Sequence, residues 1–153
     1  FEHPDQQPVC RDRHAMSAEQ ILSAARACLD TPFRHQGRIP GVGLDCAGLI
    51  VAVAQAIGAD YRDVPGYGRH PANGLLQQTL DAQPCLIKVS IAERQPGDIL
   101  LMRFSGEPQH LAIDAGDNVI HSYQQVGMVC EHRLADVWLS RIVAVYRFVE
   151  VTP

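Results

Sequence analysis

Apolar positions recur along this chain with two different periods, and the change comes near Pro84. Upstream of it the steps are three and four residues. Ile21, Leu22, Ala25, Cys28 and Leu29 form one stripe, which predicts a helix opened by a capping box of Ser17 with Gln20 and ended before Pro32. The stretch TPFRHQGRIPGVG is rich in Pro and Gly and reads as a loop. A second helix is predicted from Cys46 to Ile57, apolar almost all round and therefore central and buried, with Gly58 as its stop. A loop around VPGYGRHPANG and a short helix from Leu75 to Leu80 follow. Downstream of Pro84 the period falls to two. CLIKV, DILLMRF, HLAIDA, NVIHSY, GMVCEH and IVAVYRFVEV read as strands, most of them separated by Gly, Asp, Asn or Pro. Helices first and antiparallel strands afterwards predict an α+β domain.

The first fifteen residues, FEHPDQQPVCRDRHA, follow neither period and contain no apolar stretch of signal-peptide type. They are expected to be a disordered leader or cloning remnant, with Met16 the better start and residues 16–153 a single domain. At 153 residues and 46% hydrophobic content, that domain can build a core without staples. The longest apolar run, CAGLIVAVAQAIGA, is shorter than the about 20 residues that cross a bilayer, so no membrane partner is expected. A net charge of −4 offers no attraction to phosphate, which argues against nucleic acid. The five cysteines are odd in number and include no C-x-x-C pair, so they read as mostly free thiols made in a reducing compartment.

Candidate chemistry begins at LDCAGLI. Asp45 is a good N-cap, which places Cys46 in the first helical turn, where unpaired N–H groups and the helix dipole favour a thiolate. A nucleophile is one reading of Cys46; a small buried hydrophobe is the other. A base would decide between them. QHLAIDAG and DNVIHSY read as a hairpin turning at Gly116 and Asp117. If the turn is symmetric, Asp114 faces Val119, and His110, Ala112, Asp114, Val119, His121 and Tyr123 share one face. His110 and His121 are then diagonal neighbours, about 7–8 Å apart at the backbone, close enough for their rings to bond. That supplies the parts of a Cys-His-His arrangement: Cys46 as nucleophile, His110 as base and His121 as its orienter. Each histidine taken alone also reads as a hydrogen-bonded core residue. Asp114 is expected to be a surface or turn-side acid. His110, His121 and His132 recur at an interval of 11, but neither C-x-x-C nor H-x-x-x-H occurs, so no metal ligands are assigned.

Taken together, LDCAGLI, QPGDILLMRF, QHLAI and VIHSY, in this order and at these separations, resemble the NlpC family of papain-like bacterial cell-wall cysteine peptidases. The resemblance runs from Met16 to Phe148. It implies a papain-like α+β fold, with Cys46 starting the central helix and His110 and His121 on an antiparallel sheet. It also implies cleavage of amide bonds in peptidoglycan stem peptides, the bond from γ-D-glutamate to diaminopimelate or lysine being typical, with no cofactor. Asp45, Phe33, His35 and Ala47 surround the nucleophile and are the expected contacts to substrate or oxyanion. TPFRHQGRIPGVGLDC, AERQPGD and RIVAVYRF look most like the branch found in phage tails and prophage-like particles. That branch implies synthesis in the cytoplasm without a signal peptide, action at the cell wall and particle proteins as partners. One departure stands out: family members often carry a tyrosine in a PY element ahead of the cysteine, where this chain has Phe33. A catalytically silent assembly domain and a Cys-His acyltransferase or deamidase are the alternative expectations.

Overall fold

The computed structural model describes residues 14–68 and 74–151. Helix α1 (Ala18–Arg26) starts where the capping box placed it, with the Gln20 N–H donating to Ser17 Oγ at 3.3 Å. Its stripe of Ile21 and Ala25 is buried, and the chain then turns at Asp30, which adopts φ +71°. Within the loop that follows, β1 (Arg38–Ile39) and β2 (Gly43–Leu44) form a small antiparallel hairpin that period alone does not reveal. Helix α2 (Cys46–Ala56) is the centre of the domain, and Leu49, Ile50 and Val53 have no exposed surface. Gly58 closes it with φ +75°, a conformation that a side chain would resist. Helix α3 (Leu75–Asp81) follows.

The remaining strands are β3 (Leu86–Val89), β4 (Ile99–Met102), β5 (His110–Ala115), β6 (Asn118–Tyr123), β7 (Met128–Arg133) and β8 (Ile142–Phe148). They form one antiparallel sheet in the order β3-β8-β4-β5-β6-β7. Alternation along β4 and β5 gives the sheet two apolar faces. Ile99, Leu101, Leu111 and Ile113 join the cluster built on α1 and α2. Leu100, Met102 and Ala112 point the other way, where Val145 and Ile142 of β8 and the half-buried Trp138 and Leu139 of the short helix α4 (Asp136–Leu139) meet them. The P-G-D of the sequence is structural. Gly97 adopts φ +95° against Ala18, and the buried Asp98 takes two bonds from the Arg147 guanidinium, at 2.8 and 2.9 Å, tying the entry of β4 to β8.

Residues 1–13 of the expected leader lie outside the described residues. Its last two positions do not behave as a free extension: Ala15 bridges Val149, and the Glu150 N–H donates to the His14 carbonyl at 2.9 Å. Backbone pairing with the end of β8 therefore includes His14 and Ala15 in the domain.

Candidate active site

The hairpin of β5 and β6 turns at Gly116, φ +85°, and its register is the symmetric one, with Asp114 opposite Val119. Pairing continues to Ile113 and Ile120 and extends no further toward the other end of the hairpin. Beyond that point the His110 and His121 rings bridge the two strands through a bond of 2.6 Å between His110 Nε2 and His121 Nδ1. The Leu111 N–H of β5 donates toward the Cys46 thiol, although α2 packs on the opposite face of the sheet from the histidines.

Six of the seven residues expected at the site border one cavity of about 200 Å³: Phe33, His35, Asp45, Cys46, Ala47 and His110. The seventh, His121, is fully buried behind His110. It is held there by stacking on Tyr123, with ring centroids 5.2 Å apart and planes 12° from parallel. His132 extends the line. Its Nε2 lies 2.8 Å from His121 Nε2, and its Nδ1 lies 2.9 Å from the Arg133 carbonyl oxygen. The three histidines spaced by 11 do meet, as a hydrogen-bonded chain. Sequence reasoning had noticed His132 only as a metal candidate; its place beyond His121 follows from the β6–β7 register, which sets Val119 opposite His132.

A backbone carbonyl can only accept, so it fixes every tautomer in the chain when the rings are neutral. His132 donates from Nδ1 and accepts at Nε2; His121 donates from Nε2 and accepts at Nδ1; His110 donates from Nε2. The lone pair left over is His110 Nδ1. Neutrality of the two inner rings is favoured by burial, which holds His110 well below the ordinary histidine value and brings His121 down to about 4.

Burial works against the thiolate expected at Cys46. Burial pushes the Cys46 thiol up to about 12, with the neighbouring Asp45 charge adding to the rise, and the N–H groups of Leu111 and Ala47 offset only part of it. A helix start favours negative charge, but here the cap is itself a carboxylate and the thiol is partly buried. The resting pair is thiol and neutral imidazole. Asp45, which borders the cavity, is also tied into its wall. Its carboxylate accepts from the N–H groups of Gly48 and Gln36 at 2.8 Å each, from Arg38 Nη1 at 3.0 Å and from the Tyr67 hydroxyl at 2.5 Å. With four donors on two oxygens it organises the cavity wall. Asp114, expected at the surface, is wholly buried and paired with Arg94 at 2.7 Å.

Tyr67 is the residue that sequence reasoning missed. It borders the same cavity from the loop before α3, with the Arg38 guanidinium 5.4 Å from its ring centroid and His35 edge-on at 5.7 Å. The position of Phe33 in the chain therefore does not leave the cavity without a tyrosine hydroxyl. No local signal marks Tyr67, because it reaches Asp45 across 22 residues of chain.

Comparison with known proteins decides the family. The model of the NlpC/P60 family matches residues 30–147. The chain belongs to this family. No curated protein sequence matches it. Solved NlpC/P60 structures share its papain-like fold. A lipoprotein-like NLP/P60 protein of Staphylococcus aureus aligns with TM-score 0.65 at 20% identity, over 91% of this chain and 44% of its own. An NlpC/P60 family protein of Bacillus cereus gives 0.63 at 19%, over 86% and 40%. The NlpC/p60 domain of the peptidoglycan hydrolase SagA gives 0.58 at 25%, over 85% and 98%. This NlpC/P60 chain thus spans less than half the length of the first two and nearly all of the SagA domain. Members and structural neighbours of the family include peptidoglycan hydrolases, so cell-wall hydrolysis is the general activity that the fold supports.

Proposed function

We propose that this NlpC/P60 domain is a cysteine endopeptidase that hydrolyses amide bonds in peptidoglycan stem peptides, with the bond from γ-D-glutamate to diaminopimelate or lysine as its target. The observation that carries the reading is the lone pair of His110 Nδ1, left over by the histidine chain beside the cavity that Cys46 also borders. Substrate carbonyl enters that cavity. His110 Nδ1 takes the thiol proton as Cys46 Sγ bonds to the carbonyl carbon, so no thiolate has to persist in the resting site. The oxyanion is held by N–H groups at the start of α2, around Cys46 and Ala47. Collapse breaks the C–N bond, His110 returns the proton to the leaving amine, and a thioester remains. Water, deprotonated by His110, then releases the acid and restores the thiol.

Delivery on a phage-tail-like particle completes the proposal. It is supported by the three stretches that resemble tail modules and by a net charge of −4, which gives the domain no tether of its own to an anionic wall. The silent-domain alternative draws on Phe33 alone, and the Tyr67 hydroxyl at the same cavity, which donates to Asp45, weighs against it. Mass spectrometry of defined muropeptides with diaminopimelate or lysine stems, incubated with the protein and with Cys46→Ala, tests the reading. Cleavage by the unsubstituted protein alone is expected, and the product masses name the bond. Intact muropeptides at every pH from about 5 to 9, with folded protein, reject it; labelling of Cys46 by an acyl donor in that case points to a transferase or deamidase.

A further inference from the structure

The β6–β7 ladder sets His121 directly opposite Cys130, so their side chains leave the sheet on one face. His132 lies two residues further along β7 and returns to that face. Two imidazoles and a thiol therefore converge, with ligand atoms all within 4.8 Å of one another. C-x-H on a strand is the sheet equivalent of a ligand pair one turn apart on a helix, which a search for C-x-x-C or H-x-x-x-H passes over. Cys130 is a free thiol.

Two further features suit this cluster to a metal ion. The bond behind one ligand is of the kind that orients metal-binding histidines, His132 Nδ1–H donating to the Arg133 carbonyl, while His121 Nδ1 meets His110, to which it donates once its Nε2 gives up its proton. That leaves the two Nε2 atoms facing each other at 2.8 Å. The rings are also fixed by packing, with Trp138 edge-on to His121 at 5.1 Å and tilted on His132 at 5.1 Å. Tetrahedral zinc, with Zn–N of about 2.0–2.1 Å, needs its nitrogens about 3.3 Å apart. His132 is half-buried and His121 fully buried, so a shift of about half an ångström by His132 opens the site. Half-exposed Cys130 and His132 leave a side from which the ion enters and at which water completes the shell.

We propose that His121, Cys130 and His132 bind a zinc-class divalent ion reversibly, and that the bound ion switches off the base at His110. One nitrogen–sulfur set of this kind selects borderline-soft ions over calcium or magnesium. Binding consumes the lone pair of His121 Nε2, so that ring must carry its proton on Nδ1. The proton shared with His110 moves across to His121, His110 takes the one that leaves His121 Nε2 and holds it on Nδ1, and Cys130 releases its thiol proton to solvent. His110 then has no lone pair left for the Cys46 thiol. Binding itself does not depend on the peptidase reading; the switch rests on it.

Metal-stripped full-length protein carrying Cys46→Ala, titrated with cobalt(II), tests the binding. One equivalent is expected to raise tetrahedral d–d bands and a sulfur-to-cobalt charge-transfer band, displaced by zinc. Both Cys130→Ser and His132→Ala should abolish the charge-transfer band; its absence from the parent, or its survival in these variants, overturns the site. Muropeptide hydrolysis with Cys46 intact tests the switch. Saturating zinc is expected to lower the rate at least tenfold, reversibly with a chelator, and to leave Cys130→Ser unaffected. Inhibition that persists in Cys130→Ser places the ion on Cys46 and His110 and overturns the switch, as does zinc binding with no loss of rate. If no muropeptide is cleaved at all, the peptidase reading fails, and the cobalt spectrum alone decides the metal site.

Discussion

One backbone carbonyl decides which nitrogen can act as base. The Arg133 oxygen, 2.9 Å from His132 Nδ1, sets the direction of donation through three imidazoles. His132 is thus a positioning residue, acting through His121. Replacing it with alanine leaves His121 free to adopt the tautomer that reverses the chain, and kcat is expected to fall on the order of tenfold, the equivalent of about 1.4 kcal/mol, with KM unchanged. His132→Gln, whose amide oxygen can accept from His121 Nε2, should restore most of the loss. A fall in KM-dependent binding without a fall in kcat would assign His132 to substrate contact instead. The pH profile of kcat/KM reports the same chain. Because burial brings His121 down to about 4 and holds His110 low as well, the acid limb is expected well below the ordinary histidine value of about 6.5. A limb at 6.5 or above would mean that the base is solvated and unconnected to His121.

At the scale of elements, the site exists where two elements stop behaving regularly. The β5–β6 ladder ends at Ile113 and Ile120, and the first turn of α2 meets β5 just beyond that end, at Leu111. Close approach is made possible by Gly48, in the first turn of α2. A Cβ built there would stand 2.0 Å from the Gly37 carbonyl oxygen and 3.2 Å from both Arg38 Nη1 and Asp45 Oδ1. Gly48→Ala must push the loop of Phe33 to Gly37 away from the helix, and it should cost about 1–3 kcal/mol, read as a fall in Tm of about 2–4 °C per kcal/mol. Activity should fall further than stability does, since the displaced loop carries two cavity residues. Gly68→Ala, with nothing within 4 Å of the added atom, is the control expected to leave Tm unchanged. Equal behaviour of the two variants would show that the docking of α2 tolerates slack.

For the whole molecule, function is bought with buried histidines that the fold must keep neutral. His110 and His121 titrate below the about 6.5 of an unfolded chain, so between the two values the unfolded state binds more protons and stability rises with pH. Their contribution is complete above about 6.5 and is lost as pH falls toward about 4. For His121 the full difference is about 3 kcal/mol. Denaturant midpoints should therefore drop steadily from pH 7 to 5, and His121→Gln, though less stable at pH 7, should show a shallower decline. A midpoint independent of pH over that range would indicate that the rings titrate in the folded state as they do in the unfolded chain.

Much of this architecture was legible along the chain because it depends on residues a few positions apart. Ser17 and Asp45 cap helices through donors three residues on, alternation places His110 and His121 on one face, and a Gly-Asp turn sets their register. These local rules also put Cys46 at the head of a buried helix. What the tertiary structure alone decided depends on distant segments and on dielectric. The Cys46 thiol is driven up because packing partly buries it and the fold holds the Asp45 carboxylate beside it, neither of which follows from position in a helix. Tyr67 joins the cavity across a loop that obeys no period. His132 enters the histidine chain, and Cys130 the candidate metal site, only because β7 pairs with β6 in one register of several. Side chains acquire their protonation, and so their chemistry, from neighbours that folding brings together from far apart in sequence.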